Sequence, residues 1–116
     1  MTTHTILVVD DDQAVRLVAT EMLSALGHEV ACVASGREAL ERLDQEDFDV
    51  VLLDVGMPIM SGVEVYRTVK QSRPEQKIVF ITGYAEEDLT EYLDDITLIV
   101  TKPFSISSLR ESLSRL

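Results

Sequence analysis

Val51-Leu52-Leu53-Asp54-Val55-Gly56-Met57-Pro58 is the stretch that decides the fold. It is apolar up to one carboxylate, the pattern of a strand buried on both faces of a sheet. Glycine and proline close it, so the carboxylate stands where strand gives way to loop. In an open α/β sheet that edge, outside the strand C-termini, is where ligands bind. Asp54 is therefore the first candidate functional residue, and the neighbouring strand ends supply its surroundings.

Upstream, residues 5–9 form an apolar, β-branched run that reads as a central strand and stops at Asp10-Asp11-Asp12. Three adjacent like charges repel unless a cation lies among them. Asp12 suits the N-cap of the next helix, which leaves Asp10 and Asp11 to be explained. Residues 13–26 carry Val15, Val18, Met22 and Leu26 on one helical face, and Gly27 suits the C-terminal cap. His28 reads as a surface residue of the turn. Residues 29–34 form a second strand, and Ser35 with Glu38 marks the start of a helix whose inner face is Ala39, Leu40 and Leu43. Residues 48–53 are the third strand, ending at Asp54. Beyond the loop, Ser61 and Glu64 open a helix that runs to about residue 71, with Val63, Tyr66 and Val69 in its apolar repeat. Residues 77–81 are a fourth strand, ending in Thr82-Gly83-Tyr84. Residues 85–95, acidic with Leu89, Tyr92 and Leu93, read as a further helix. Residues 97–101 are a fifth strand before Lys102-Pro103-Phe104, and residues 106–115 a last helix capped by Ser105.

Five strands alternating with five helices predict an α/β fold, a parallel sheet with helices on both faces. Parallel strands joined by right-handed crossovers have all their C-termini on one edge. Asp10, Asp11, Asp54, Thr82 and Lys102 then share that edge.

The chain has 116 residues, which predicts one domain spanning 1–116. With 46% hydrophobic and 5% aromatic residues, its core is built from Val, Ile, Leu and Ala, and the apolar content excludes a disordered chain. The net charge of −11 repels phosphate backbones and argues against direct contact with nucleic acid. The single cysteine, Cys32, permits no internal disulfide and reads as a buried structural thiol. No apolar run approaches the roughly 18 residues of a membrane span, and Met1-Thr2-Thr3-His4 does not resemble a signal peptide. A cytoplasmic protein or domain without direct membrane contact is expected.

Asp10, Asp11 and Asp54 are hard oxygen ligands suited to a divalent ion, above all Mg²⁺. Thr82 adds a hydroxyl and Lys102 a fixed positive charge. Around one aspartate, such a set suits in-line phosphoryl transfer to a carboxylate, with Asp54 as nucleophile.

Ile6-Leu7-Val8-Val9-Asp10-Asp11, Asp54-Val55-Gly56-Met57-Pro58 with Gly62, Ile81-Thr82-Gly83 and Lys102-Pro103-Phe104 resemble the receiver domain of two-component response regulators, over essentially the whole chain. The resemblance implies the flavodoxin-like strand order 2-1-3-4-5. It implies Asp54 as phosphoacceptor, Asp11 as a direct Mg²⁺ ligand, Asp10 acting through water, and the Gly56 backbone carbonyl as a further ligand. Thr82 matches the hydroxyl that follows the phosphoryl group, and Lys102 matches the family lysine, which precedes a peptide bond that is usually cis. The donor implied is a phosphohistidine on a histidine kinase or histidine phosphotransfer domain. The domain would be no turnover enzyme, catalysing only its own phosphorylation and dephosphorylation.

Two departures stand out. Many receivers carry Tyr or Phe three residues before the lysine, where this chain has Ile99, and the Thr82 to Lys102 segment is about two residues short. An aliphatic side chain cannot make the aromatic swing that reports phosphorylation, so Tyr84 becomes the candidate gate. Gly56 has no side chain to orient water, so hydrolysis of the acyl phosphate is expected to depend more on Tyr84. With Thr82-Gly83-Tyr84 and Ile99, the chain looks similar to receivers attached to hybrid sensor histidine kinases, which relay phosphate. Two other readings compete. A haloacid-dehalogenase-like phosphatase would carry a second aspartate where Gly56 stands. A degenerate receiver acting only as a binding module would not need Asp10, Asp11, Asp54, Thr82 and Lys102 together.

Overall fold

The computed structural model describes residues 3–83 and 89–116. In chain order the elements are β1 Thr5–Val9, α1 Gln13–Ala25, β2 Glu29–Val33, α2 Gly36–Gln45, β3 Val50–Asp54, α3 Gly62–Ser72, β4 Lys77–Thr82, a 3-10 turn Thr90–Tyr92, β5 Thr97–Thr101 and α4 Ile106–Ser114. All strand pairs are parallel and the sheet order is β2-β1-β3-β4-β5, the flavodoxin-like order expected.

Burial follows from that order. β3 is buried at every residue, and β1 and β4 at all but their first, because each has a strand on either side and helices above and below. One face packs Leu7, Val9, Val51, Leu53, Ile78 and Phe80 against α2 and α3. The other packs Ile6, Val8, Leu52, Val79 and Ile81 against α1 and α4. Each wholly buried Leu, Ile or Val contributes about 1.5–3 kcal/mol relative to exposure, so the central strands anchor the edge that carries the polar residues.

Local sequence sets the helix starts. The carboxylate of Asp12 accepts from Ala14 N (2.9 Å), Ser35 Oγ from Glu38 N (3.1 Å) and Ser61 Oγ from Glu64 N (3.3 Å). Glu38 completes its box one residue further back, accepting from Ala34 N at 2.8 Å. Ser105 and Ser108 cap α4 reciprocally. Gly27 takes φ +93° just past α1, as the capping argument requires.

Three expectations are corrected. The described residues contain four α-helices, not five. Of the helix expected over 85–95, residues 85–88 lie outside the described residues, and the remainder holds one 3-10 turn followed by an extended Leu93. The Asp94 carboxylate accepts from Ile96 N (3.0 Å) and Asp94 N donates to Thr97 O (3.1 Å). Aspartate thus spends its hydrogen-bonding capacity on a turn into β5, the reason it is a poor helix former. Cys32 is exposed, not buried, because β2 is an edge strand. His28 is half-buried and stacks on His4, with centroids 5.3 Å apart, while its Nδ1 accepts from His4 N.

Candidate functional site

Register brings the strand ends together. Leu53 lies opposite Phe80, Asp54 opposite Ile81, and Thr82 opposite Thr101. Backbone bonds carry the ladders past the strands: Val55 N donates to Ile81 O (3.0 Å) and Lys102 N to Thr82 O (2.8 Å). Asp10, Asp54, Thr82 and Lys102 are thereby fixed on one sheet edge by the main chain.

There they line a cavity of about 740 Å³, together with Asp11, Asp12 and Gly56, and with an apolar wall of Val15, Val18, Pro103 and Phe104. One carboxylate oxygen from each of Asp10, Asp11 and Asp54 lies within 4.8 Å of the others. Asp10 and Asp54 are buried and Asp11 is exposed. Asp12 spends a carboxylate oxygen on the α1 cap.

The hydrogen bonds give the two buried carboxylates different duties. Asp10 Oδ1 accepts from Asp12 N (2.9 Å), which shapes the β1–α1 turn. Asp10 Oδ2 lies 3.0 Å from Lys102 Nζ as an ion pair, but it is buried and receives no hydrogen bond of regular geometry. Asp54 Oδ1 accepts from Gly56 N (3.3 Å) and lies 3.4 Å from Lys102 Nζ. No hydrogen bond from the described residues reaches Asp54 Oδ2. Thr82 is buried at the cavity floor. The Lys102–Pro103 peptide bond is cis.

The electrostatics are those of a site with too much negative charge. Burial, and then the charge of Asp10, raise the Asp54 pKa above the usual carboxylate range, and Lys102 and the Gly56 N–H offset this only in part. Burial works to lower the Lys102 ammonium, but contact with Asp10 and Asp54 outweighs it and the pKa is raised. Both shifts favour retaining a proton. One ammonium among three carboxylates whose oxygens lie within 4.8 Å of one another is a donor set that fits a hard divalent cation.

Sequence reasoning missed Arg16, whose Nη1 donates to Asp10 O at 2.8 Å and ties α1 to the acidic turn. Asp10 follows the end of β1 and Arg16 lies in α1, so no repeat within one element marks the pair. The apolar wall was also missed, since Val15 and Val18 read simply as the inner face of α1. Gly62 was noticed only as part of a motif. A Cβ there would stand 2.4 Å from Asp54 O and 2.8 Å from Val55 Cα. Tyr84, the expected gate, lies outside the described residues. Ile99 is partly exposed on the edge strand β5. An aromatic cluster lies nearby, with Tyr66 against Phe80 and Tyr92 at 5.3 and 5.1 Å between centroids.

Comparison with known proteins agrees with this geometry. A family model for the response regulator receiver domain matches residues 6–114. The chain is 33% identical to the response regulator receiver protein CpdR of Brucella abortus, covering 96% of this chain and 94% of that protein. It is 37% identical to the sensor kinase CckA of the same organism, over 90% of this chain but only 12% of the kinase. Among solved structures, chemotaxis protein CheY4 of Vibrio cholerae superposes with a TM-score of 0.86 at 30% identity, covering 98% of both chains. The response regulator TrrA of Thermotoga maritima, solved in complex with Mg²⁺-BeF, gives a TM-score of 0.85 at 32% identity, covering 99% of this chain and 98% of that one. The chain belongs to the response regulator receiver domain family, the phosphoacceptor modules of two-component signalling systems.

Proposed function

We propose that Asp54 is the phosphoacceptor of this receiver and that it takes the phosphoryl group from a phosphohistidine on a histidine kinase or histidine phosphotransfer domain. The observation that carries the reading is the division of labour at Asp54. Oδ1 is held by Gly56 N and Lys102, while no hydrogen bond from the described residues reaches Oδ2 of this cavity-lining residue. A fixed carboxylate with one unengaged oxygen is a positioned nucleophile.

In the transfer, Asp54 Oδ2 forms a bond to phosphorus as the P–N bond of the donor breaks. The electron pair leaves on the imidazole nitrogen, which takes a proton from solvent. Lys102, within 3.4 Å of Asp54, balances charge on the incoming oxygens. The Thr82 hydroxyl, on the next strand, becomes a donor to the phosphoryl group once it is attached. Mg²⁺ would be held by Asp11 and Asp54 directly, by the Gly56 carbonyl, and by Asp10 through water. When bound, it supplies the positive charge that three carboxylates and a phosphoryl group lack. TrrA, similar over nearly its whole length, is described with Mg²⁺-BeF, which supports the same metal here.

The domain spans 1–116 as one unit in the cytoplasm, a signalling module that turns over only its own phosphoryl group. The matches to both a sensor kinase and small receivers leave two settings for it, a relay module of a hybrid kinase or a free shuttle. Either fits a chain with Ile99 at the position of the usual aromatic switch.

Incubation with Mg²⁺ and acetyl phosphate, followed by intact-mass measurement, tests the assignment. A gain of one phosphoryl group that disappears in Asp54→Asn is expected. Sustained hydrolysis without accumulation would indicate a phosphatase. The absence of any reaction would leave only a binding module.

A further inference from the structure

Among the described residues, Ile59 is the most exposed large hydrophobic side chain, at 104% relative exposure against 60% for Leu17 and 42% for Val18. It is also the one non-glycine residue there with positive φ, at +69°. Met60 N donates to Pro58 O at 2.7 Å, closing a γ-turn centred on Ile59. A γ-turn of this hand is rare and strained, and a β-branched residue in it is an outlier. The turn is clamped on both sides: Met57 is buried in the core, Met60 packs on the same cluster, and Gly62 N bonds Val55 O at 3.1 Å.

Exposure of one isoleucine needs no explanation, since single apolar side chains are common on surfaces. Exposure combined with strain does. Glycine or asparagine at this position would remove both costs at once. Backbone strain of this kind persists where the surroundings over-determine it, and it concentrates at ligand-binding positions.

We propose that Ile59 is a preformed docking anchor for the protein that delivers the phosphoryl group, seated in an apolar recess beside that partner's phosphohistidine. The inference rests on the phosphotransfer reading above. The loop begins at Asp54 and returns to it, because Gly62 lies against the Asp54 carbonyl. Ile59 is three residues from Gly62, so its backbone is within roughly 11 Å of that contact. A standard interface covers about 800 Å² per partner, a disc of roughly 16 Å radius. A protein docked over Asp54 therefore reaches Ile59. Val18 lines the cavity and is itself exposed, which offers a second apolar contact on α1. Exposed Asp11 and Asp12, which line the same cavity, call for a basic rim on the partner. A held, protruding aliphatic side chain loses little freedom on insertion, as binding anchors require.

Small and protein phosphodonors separate this role from a role in the chemistry. Acetyl phosphate reaches Asp54 without touching Ile59. The protein donor is the kinase that transfers fastest when the histidine kinases of the source organism are purified, autophosphorylated with labelled ATP and tested against the wild-type receiver. Ile59→Asn, which tolerates positive φ, should raise the urea midpoint and leave the acetyl phosphate rate unchanged. It should lower kcat/KM for transfer from the kinase at least ten-fold, and Ile59→Leu should recover most of that loss. Wild-type transfer rates from the kinase in Ile59→Asn would overturn the proposal, as would an equal loss with both donors. Phosphorylation of the wild type by neither donor would instead overturn the receiver reading on which it rests.

Discussion

Gly62→Ala is the substitution by which the packing under the phosphoacceptor can be measured. The new Cβ would stand 2.4 Å from Asp54 O, 2.8 Å from Val55 Cα and 3.0 Å from Asp54 C, all of them backbone. Real Cβ contacts are essentially never under 3.0 Å and become ordinary at 3.4 Å, so the gap to Asp54 O must open by 0.6 to 1.0 Å. No side chain can rotate away, so α3 and the end of β3 must separate. Overpacking of this kind costs about 1–3 kcal/mol. The better helix propensity of alanine returns at most about 1 kcal/mol. The expected net loss of about 1–2 kcal/mol lowers the urea midpoint by roughly 0.5–1 M. A displacement near 1 Å at a reacting group costs up to about 10²-fold in rate, so phosphorylation by acetyl phosphate should fall about 10- to 100-fold. Gly27→Ala is the control. Its Cβ meets nothing within 4 Å, but φ is +93°, so it should lose about 1–2 kcal/mol through left-handed strain with no change in acceptor rate. Unchanged stability and rate in Gly62→Ala would refute the close-approach argument. Lost stability with an unchanged rate would show that the strain does not reach Asp54.

Three further outcomes are expected. Without divalent metal, Asp54→Asn should be more stable than the wild type at pH 7. The raised native pKa of Asp54 means that the folded state holds its proton more tightly, so wild-type stability falls as pH rises from the usual carboxylate value to the native one. The difference in urea midpoints should open across that window and close below it; a less stable Asp54→Asn at pH 7 would mean that the Lys102 contact outweighs burial. Mg²⁺ should raise the unfolding temperature of the wild type, with about 2.7 kcal/mol gained at a hundred times its Kd, and Asp11→Asn should abolish most of the gain in a calorimetric titration. Gln76→Ala should cost about 1–3 kcal/mol in urea unfolding, because Gln76 Nε2 donates to Phe48 O, Asp49 O and Lys77 O at 3.1–3.3 Å where the β3 and β4 ends meet.

The strands were legible because each is a short apolar run ending at a turn, and run length and β-branched content are local properties. The same holds for the caps at Asp12, Ser35, Ser61 and Ser105, which act within three residues of themselves. Once alternation implied a parallel sheet, the shared edge of Asp10, Asp11, Asp54, Thr82 and Lys102 followed from the common direction of the strands. The helix expected over 85–95 was a weaker inference, because an acidic segment with a modest apolar face can satisfy its backbone in a turn as well as in a helix. Over the described part, Asp94 does so.

Other features depended on contacts between residues far apart in the chain. Cys32 sits in an alternating segment that looks half-buried, and only the strand order puts it on an edge. Gly62 reads as a helix start, yet what excludes a side chain is the Asp54 backbone lying beneath it. Arg16 reaches the Asp10 carbonyl across a turn that no repeat predicts. The Asp54 oxygen that no described residue hydrogen-bonds and the strained turn at Ile59 likewise belong to the assembled loop and to no residue alone. Sequence by itself determined which chemical groups reach the sheet edge, since strand and cap signals are short-range. Tertiary structure decided how closely they approach, which oxygen the described residues hold and what the surrounding loop presents, since those distances arise only when distant segments pack.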